Sequence, residues 1–285
     1  MIKVPVSVGT MLEKCKQQEM EADFPYRSLV GSLLFVASRT RPDVLYFVIY
    51  LSQYNNAHSM KHVKCLKQVL QYLVNTSDYC INLSRCKDDK INIYTDASWA
   101  ADHSTCKSFG GFMLYIGGAV VSWGCKKQTS IACSSMESEF VAMVHAVKEG
   151  FWLSSIFENC PLFGYVNVPT VFSDSMAAIN FTNNDIENTK TRHIRIRYYF
   201  LRDWFEKNYF ALAKVPGSWN VSDLFTKWVS GDRIRMLCTD VFDRWAKRCC
   251  LVNEIHSYRV SLIDKEAKHG WKLLLSQSVM LILRE

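Results

Sequence analysis

Apolar and polar positions alternate with two different periods along this chain, and the change of period marks its organisation. From Tyr26, the residues Leu29, Leu33, Val36 and Ala37 recur at helical spacing, and Arg41-Pro42-Asp43 opens a second helix carrying Leu45, Val48 and Ile49. A third helix is predicted from Ser59 to Leu73, with Val63, Leu66, Val69, Leu70 and Leu73 on one face and Lys61, Lys64 and Lys67 on the other. Three helices in succession make a small helical unit, assigned to residues 26–78. Residues 1–25 show little periodicity and form a lead-in that closes at Asp23-Phe24-Pro25.

Near Tyr79 the period becomes two. Cys80 to Leu83 and Ile91 to Tyr94 alternate apolar and polar residues around a charged turn, Cys86 to Lys90. Phe109 to Ile116 and Ala119 to Cys125 are joined by Gly117-Gly118, a hairpin signal because both turn positions tolerate positive φ. There follow a helix from Ser134 to Trp152, a short strand Val171 to Ser173, a helix Ser175 to Phe181, a long helix Thr191 to Lys207 and a strand Ala211 to Val215. Strands first, then helices alternating with strands, predicts an α/β domain with a mixed sheet over residues 79–230. Residues 231–285 read as a helical tail with no motif.

Composition narrows the class. At 49% hydrophobic and 21% charged, with 8 Trp, 13 Tyr and 16 Phe, the chain is globular and not disordered. The uncharged run Val44 to Met60 ends in Asn, His and Ser, and the run Phe109 to Cys125 is broken by glycines, so neither predicts a membrane span. The N-terminal residues show no apolar signal core, and the 11 cysteines form no Cys-x-x-Cys pair. A reducing, intracellular setting, cytoplasmic or nuclear, is the expectation. A net charge of +7 favours anionic partners such as nucleic acid without choosing among them.

The acidic residues sharpen this picture. Asp96 and Asp174 each follow an apolar strand, Glu139 lies in the first turns of the helix opening at Ser134, and Asp223 follows the strand that ends in Val215-Pro216. Four carboxylates from separate elements can therefore meet at the strand ends, where their repulsion calls for cations. Hard oxygen ligands suit Mg²⁺, with Mn²⁺ as a substitute. Two such ions roughly 3.5–4 Å apart would support hydrolytic phosphoryl transfer. Any one of these residues by itself would be read as a helix cap, Asp174 above all. Four in this order read as a site.

At these residues the chain resembles the C-terminal part of Pol polyproteins from copia-type retrotransposons. Tyr26-Arg27-Ser28-Leu29-Val30-Gly31-Ser32-Leu33-Leu34 with Thr40-Arg41-Pro42-Asp43 is similar to the helical end of the family's reverse transcriptase. Tyr94-Thr95-Asp96-Ala97-Ser98-Trp99-Ala100, Ser134-Ser135-Met136-Glu137-Ser138-Glu139-Phe140, Ser173-Asp174-Ser175-Met176-Ala177-Ala178-Ile179, Lys190-Thr191-Arg192-His193-Ile194-Arg195-Ile196-Arg197-Tyr198 and Ser222-Asp223-Leu224-Phe225-Thr226-Lys227 resemble its ribonuclease H domain, in the family's order. The resemblance implies a ribonuclease H-like five-stranded mixed sheet with flanking helices, preceded by a small helical segment. It implies metal ligation and catalysis by Asp96, Glu139, Asp174 and Asp223. Of the two helix glutamates, Glu139 is chosen because Glu139-Phe140-Val141-Ala142 resembles the Glu-Leu-x-Ala turn of ribonucleases H, with Glu137 in reserve. Two residues apart on a helix, the pair point to nearly opposite sides. The chain departs from the family at Ser98, where a second acidic residue is usual, and at Ser175-Met176, where Asn-Gln is usual. The polymerase motif Tyr-x-Asp-Asp is absent, which excludes reverse transcription by this chain alone.

Basic residues supply candidate substrate contacts. On a helix from Thr191 to Lys207, Arg192, Arg195 and Arg202 share a stripe that could face a phosphate backbone or simply solvent. Lys126 and Lys127, after the hairpin, are a second candidate contact or a basic strand edge. His193 is an auxiliary candidate for proton transfer, against a structural role at a helix start. His58 and His62, with Cys65 nearby, form an incomplete zinc set. The expected function is metal-dependent cleavage of the RNA strand of RNA–DNA hybrids, in partnership with the polymerase portion of Pol. The alternative is a nucleic-acid-binding module, from a degenerate element, that has lost turnover.

Overall fold

The computed structural model describes residues 4–7, 10, 12–14, 24–159, 167–183 and 194–244. Most of the lead-in, Arg192, His193, the start of the Thr191 helix and residues 245–285 lie outside the described residues.

Three helices open the described structure: α1 (Tyr26–Arg39), α2 (Pro42–Ser52) and α3 (Met60–Asn75). Pro42 sits in the first turn of α2, where its fixed φ suits a helix start and its missing N–H leaves nothing unpaired. Helix α2 is buried on nearly every side, including Asp43, whose carboxylate accepts from Arg41 Nε at 2.9 Å, Arg41 Nη2 at 2.7 Å and the Tyr72 hydroxyl at 2.8 Å. A charge so far from water is tolerable only with its hydrogen-bonding capacity filled in this way. Helix α3 starts with a reciprocal cap in which the His62 ring accepts the Ser59 amide at 3.0 Å. The His58 ring stacks on Tyr26 at 4.3 Å. The two imidazoles therefore serve a helix start and an aromatic stack, and no metal-type cluster among the described residues includes them.

The main sheet is five-stranded, in the order β4-β3-β2-β5-β6, from strands β2 (Ile91–Asp102), β3 (Lys107–Ile116), β4 (Ala119–Lys127), β5 (Thr170–Ser173) and β6 (Ala211–Lys214). β2, β3 and β4 form an antiparallel meander, and β5 and β6 add in parallel on the other side of β2. This is the mixed sheet with flanking helices expected of a ribonuclease H-like chain. The β3–β4 turn places Gly117 and Gly118 at φ of +57° and +96°, as the sequence requires of that hairpin.

Helices α4 (Ser135–Glu158), α5 (Met176–Asn183) and α6 (Arg195–Glu206) cover one face through Ile91, Ile93, Phe140, Met143, Val147, Val171 and Leu201. The opposite face packs on the N-terminal helices, so the two share one hydrophobic cluster. Tyr46, Phe47 and Tyr50 of α2 close on Trp228, with ring centroids 5.0–5.9 Å apart, and Trp123 of β4 donates to the Ala37 carbonyl at 3.0 Å.

Two details differ from the periodicity. The alternating segment near Cys80 contributes a short strand, β1 (Tyr79–Ile81), that pairs with β7 (Phe242–Arg244) in a separate two-stranded sheet. Arg85, bonded to Asp240 and Asp243 at 2.8 and 2.9 Å, helps hold that pairing. Strand β2 also runs well past Tyr94, so Asp96 is a mid-strand residue opposite Gly111 and not a strand end. The antiparallel partner β3 continues the ladder beyond it, whereas the parallel partner β5 stops at Ser173.

Candidate functional site

Strand register assembles half of the site. Thr95 of β2 pairs with Ser173, the last residue of β5, so Asp96 and Asp174 are the residues that follow a paired position on adjacent parallel strands. Neighbouring strands lie only about 4.8 Å apart, which brings these two side chains together without any loop having to do so. β5 ends here, opening the edge of the sheet beside Asp96.

Helix α4 supplies the third group. Ser134 is its N-cap: the Ser134 hydroxyl accepts the Glu137 amide at 3.2 Å, and Glu137 reaches back to accept the Cys133 amide at 2.8 Å. This is a close variant of the capping box, and it commits Glu137 to the helix start. Glu139, about 200° further round the helix, faces the sheet. Gln128, at the end of β4, donates to the Ser138 carbonyl at 2.8 Å and fixes this first turn against the sheet. Oxygens of Asp96, Glu139 and Asp174 all lie within 4.8 Å of one another.

Two of the three are held in a poorly hydrated setting, and Asp174 is half-buried. Asp96 and Glu139 are buried, and Glu139 Oε2 has no hydrogen-bond partner. Burial, reinforced by the neighbouring carboxylates, pushes Glu139 up to about 9 although the Ala97 amide donates to it. Burial also raises Asp96, to about 6, against the opposing pull of Lys227 and a hydrogen bond from Thr226. An all-oxygen donor set with an orphaned buried oxygen fits a hard divalent cation.

Asp223 comes from another element and is engaged differently. It lies in a 3₁₀ turn, Val221–Phe225, capped by Asn220, whose Oδ1 accepts from the Ser222 hydroxyl at 2.5 Å while its Nδ2 donates to the Thr95 carbonyl at 3.0 Å. Gly111, across from Asp96, permits this close approach: a Cβ there would stand 2.3 Å from Phe225 Cβ. Asp223 is outside the compact group of three and is bonded through Oδ1 to Lys227 at 2.6 Å and through Oδ2 to Arg233 at 2.9 Å. Lys227 also stands 3.3 Å from the Asp96 carboxylate, and the Thr226 hydroxyl donates to Asp96 Oδ2. Asn220, Thr226, Lys227 and Arg233 are thus site residues that sequence reasoning passed over. The Asn-x-Ser turn signal at Asn220 and the i,i+4 spacing of Asp223 and Lys227 were the clues available.

The candidate substrate contacts fall into two groups. Lys126 is exposed on β4, whereas Lys127 is engaged with Gln53 at 2.7 Å and with Asp102. Arg195 is exposed on α6 with its guanidinium over the Tyr199 ring at 5.4 Å. Arg202 is tied to Glu206 at 2.7 Å and to the Tyr198 hydroxyl at 2.8 Å. The stripe is therefore partly neutralised within its own helix. No helix among the described residues is long and apolar enough to cross a membrane.

No family profile matches this sequence. Among known proteins it is 30% identical over 220 residues to the retrovirus-related Pol polyprotein from transposon TNT 1-94 of Nicotiana tabacum, covering 77% of this chain and 16% of that protein. It is 31% identical over 229 residues to the Pol polyprotein from transposon RE2 of Arabidopsis thaliana, covering 80% of this chain and 16% of that protein. The chain thus spans about a sixth of each of these two polyproteins. Among solved structures, LC11-RNase H1 in complex with RNA/DNA hybrid aligns with 48% of this chain and 94% of its own, at 13% identity and a TM-score of 0.37.

Proposed function

For a chain homologous to copia-type retrotransposon Pol polyproteins, of which it spans one segment, we propose the role of the metal-dependent ribonuclease H that hydrolyses the RNA strand of RNA–DNA hybrids. The observation that carries this reading is the convergence of Asp96, Glu139 and Asp174 within 4.8 Å, with one Glu139 oxygen buried and unpartnered. Bound there, Mg²⁺ ions would polarise the scissile phosphate and lower the pKa of an attacking water.

The protein's own residues do the remaining work. Asp96, Glu139 and Asp174 would hold the cation from a strand, the end of a second strand and a helix, elements that keep the oxygens in place. Asp223 borders the same edge from its 3₁₀ turn and would complete the acidic set through Oδ2 when the Arg233 pair opens, Lys227 remaining on Oδ1. The hybrid crosses the sheet edge where β5 ends, with exposed Lys126 and Arg195 contacting phosphates. Recognition by backbone shape and the ribose 2′-hydroxyl, and not by base identity, suits such a surface. Within Pol, the helices α1–α3 would continue into the polymerase portion, the natural partner of this domain.

Cleavage of a labelled hybrid by the purified chain, with Mg²⁺ and with EDTA, is the test. Activity with Mg²⁺ that disappears in EDTA and in Asp96→Asn is the expected result. Hybrid binding without cleavage by the unaltered chain would overturn the enzymatic reading in favour of a binding module.

A further inference from the structure

Lys227 occupies an unusual place for a lysine. Its ammonium lies between two acidic groups, 2.6 Å from Asp223 Oδ1 and 3.3 Å from the Asp96 carboxylate. Although burial alone would lower its pKa, these two carboxylates hold it above the ordinary lysine value. The backbone is fixed at this point, because the amides of Thr226 and Lys227 both donate to the Asp223 carbonyl, at 3.3 and 3.2 Å. The side chain is nevertheless 42% exposed, so its end has a path to water. The two carboxylates it touches are unequal. Asp223 has Arg233 on its other oxygen at 2.9 Å, while Asp96, buried beside Glu139 and Asp174, has no cation but Lys227 among the described ion pairs.

We infer that Lys227 is the built-in counter-cation of the metal-free site, and that a divalent ion binds by taking Asp96 away from it. This rests on the metal-site reading above and adds the residue that competes with the ion. An ammonium and a divalent cation sharing Asp96 would repel each other at short range, so the lysine must turn aside as the ion enters. Asp223 is its resting place: the ammonium keeps the shorter of its two bonds and gives up the longer. The device keeps the empty site from flying apart by self-repulsion, and it weakens metal binding in proportion to the contact that must be broken.

The test is calorimetric titration of the full chain with Mg²⁺ for wild type, Lys227→Met and Lys227→Gln. Lys64→Met, an equal charge change on the exposed face of α3, serves as the control. Both Lys227 variants should bind Mg²⁺ about tenfold or more tightly and unfold more readily without metal, with the control unchanged. In wild type, the Lys227 ammonium resonance in ¹⁵N NMR should shift on Mg²⁺ addition. Unchanged or weaker binding in both variants, tightening equal to that of Lys64→Met, or an ammonium resonance indifferent to saturating Mg²⁺ would each overturn the inference and leave the metal site standing. Absence of Mg²⁺ binding to every protein, wild type included, would overturn both. If either variant failed to fold, the wild-type resonance would still decide.

Discussion

Glu139→Gln should stabilise the metal-free protein at neutral pH. Glu139 has a buried oxygen without a partner and forms no ion pair among the described residues, while Asp96 and Asp174 approach within 4.8 Å. With its pKa raised to about 9, the side chain is protonated in the folded state at pH 7 and ionised in the unfolded one. Holding the proton from the ordinary 4.5 up to pH 7 costs on the order of 3 kcal/mol. Two full charges 4.8 Å apart at an effective dielectric of about 20 repel by about 3.5 kcal/mol, a similar size. Because Asp96 shares the strain, a net gain on the order of 1–3 kcal/mol is expected for the glutamine. The sign sets the pH dependence. A carboxyl whose folded pKa is raised binds more protons folded than unfolded, so wild-type stability falls as pH rises from about 4.5 towards 9. The advantage of the glutamine should therefore vanish near pH 4.5 and grow with pH. Urea denaturation in EDTA at pH 5, 7 and 8.5 measures it. Glu137→Gln is the internal contrast: its carboxylate caps α4 through the Cys133 amide, so loss of its negative charge at the helix start should cost roughly 0.3–1 kcal/mol and give no stabilisation. Saturating Mg²⁺ should reverse the order of wild type and Glu139→Gln. A Glu139→Gln protein no more stable than wild type at pH 7, or stabilised equally at pH 5, would refute the placement of Glu139 in a repulsive cluster.

Two further outcomes follow from the packing and the helix face. Gly111→Ala forces a Cβ to within 2.3 Å of Phe225 Cβ, so the Asp223 turn must move. A loss of about 1–3 kcal/mol in chemical denaturation, with weaker Mg²⁺ stabilisation, is expected, and a neutral substitution would show that the turn does not lie against the sheet. Arg195→Ala, at an exposed position of α6, should flatten the dependence of log hybrid affinity on log salt by roughly 0.7–0.9, whereas Arg202→Ala, at a half-buried position against Glu206 and Tyr198, should change it much less. Equal slopes in the two variants would remove α6 from the binding surface.

Hydrophobic periodicity suffices to locate the three N-terminal helices, the Gly117-Gly118 hairpin and the parallel strands, because each is specified by residues within a few positions of one another. The acidic residues were legible for the same reason: Asp174 follows a short apolar run, and Asp96 follows Tyr94-Thr95 in a motif that resembles a known family. The choice of Glu139 over Glu137 was also within local reach, since Ser134-Ser135-Met136-Glu137 has capping-box spacing and assigns Glu137 to the helix end. Other features depend on contacts between distant segments. That β1 pairs with β7, and that β2 runs on past Asp96, follow from which strands lie alongside, not from their own alternation. The helical segment and the sheet share a core because Trp228 fits among Tyr46, Phe47 and Tyr50, residues nearly two hundred positions away. Side-chain charge is visible in a sequence, but its pairing is not. Lys227 sits four residues from Asp223 and reads as a local helical pair, yet its second partner, Asp96, lies across the fold. Likewise Lys127 and Arg202 read as free basic groups until tertiary and helix geometry show them neutralised by Asp102 and Glu206. Backbone pattern is set by short-range sterics and burial, whereas the charge state of a site depends on burial and partners that only the folded chain assembles.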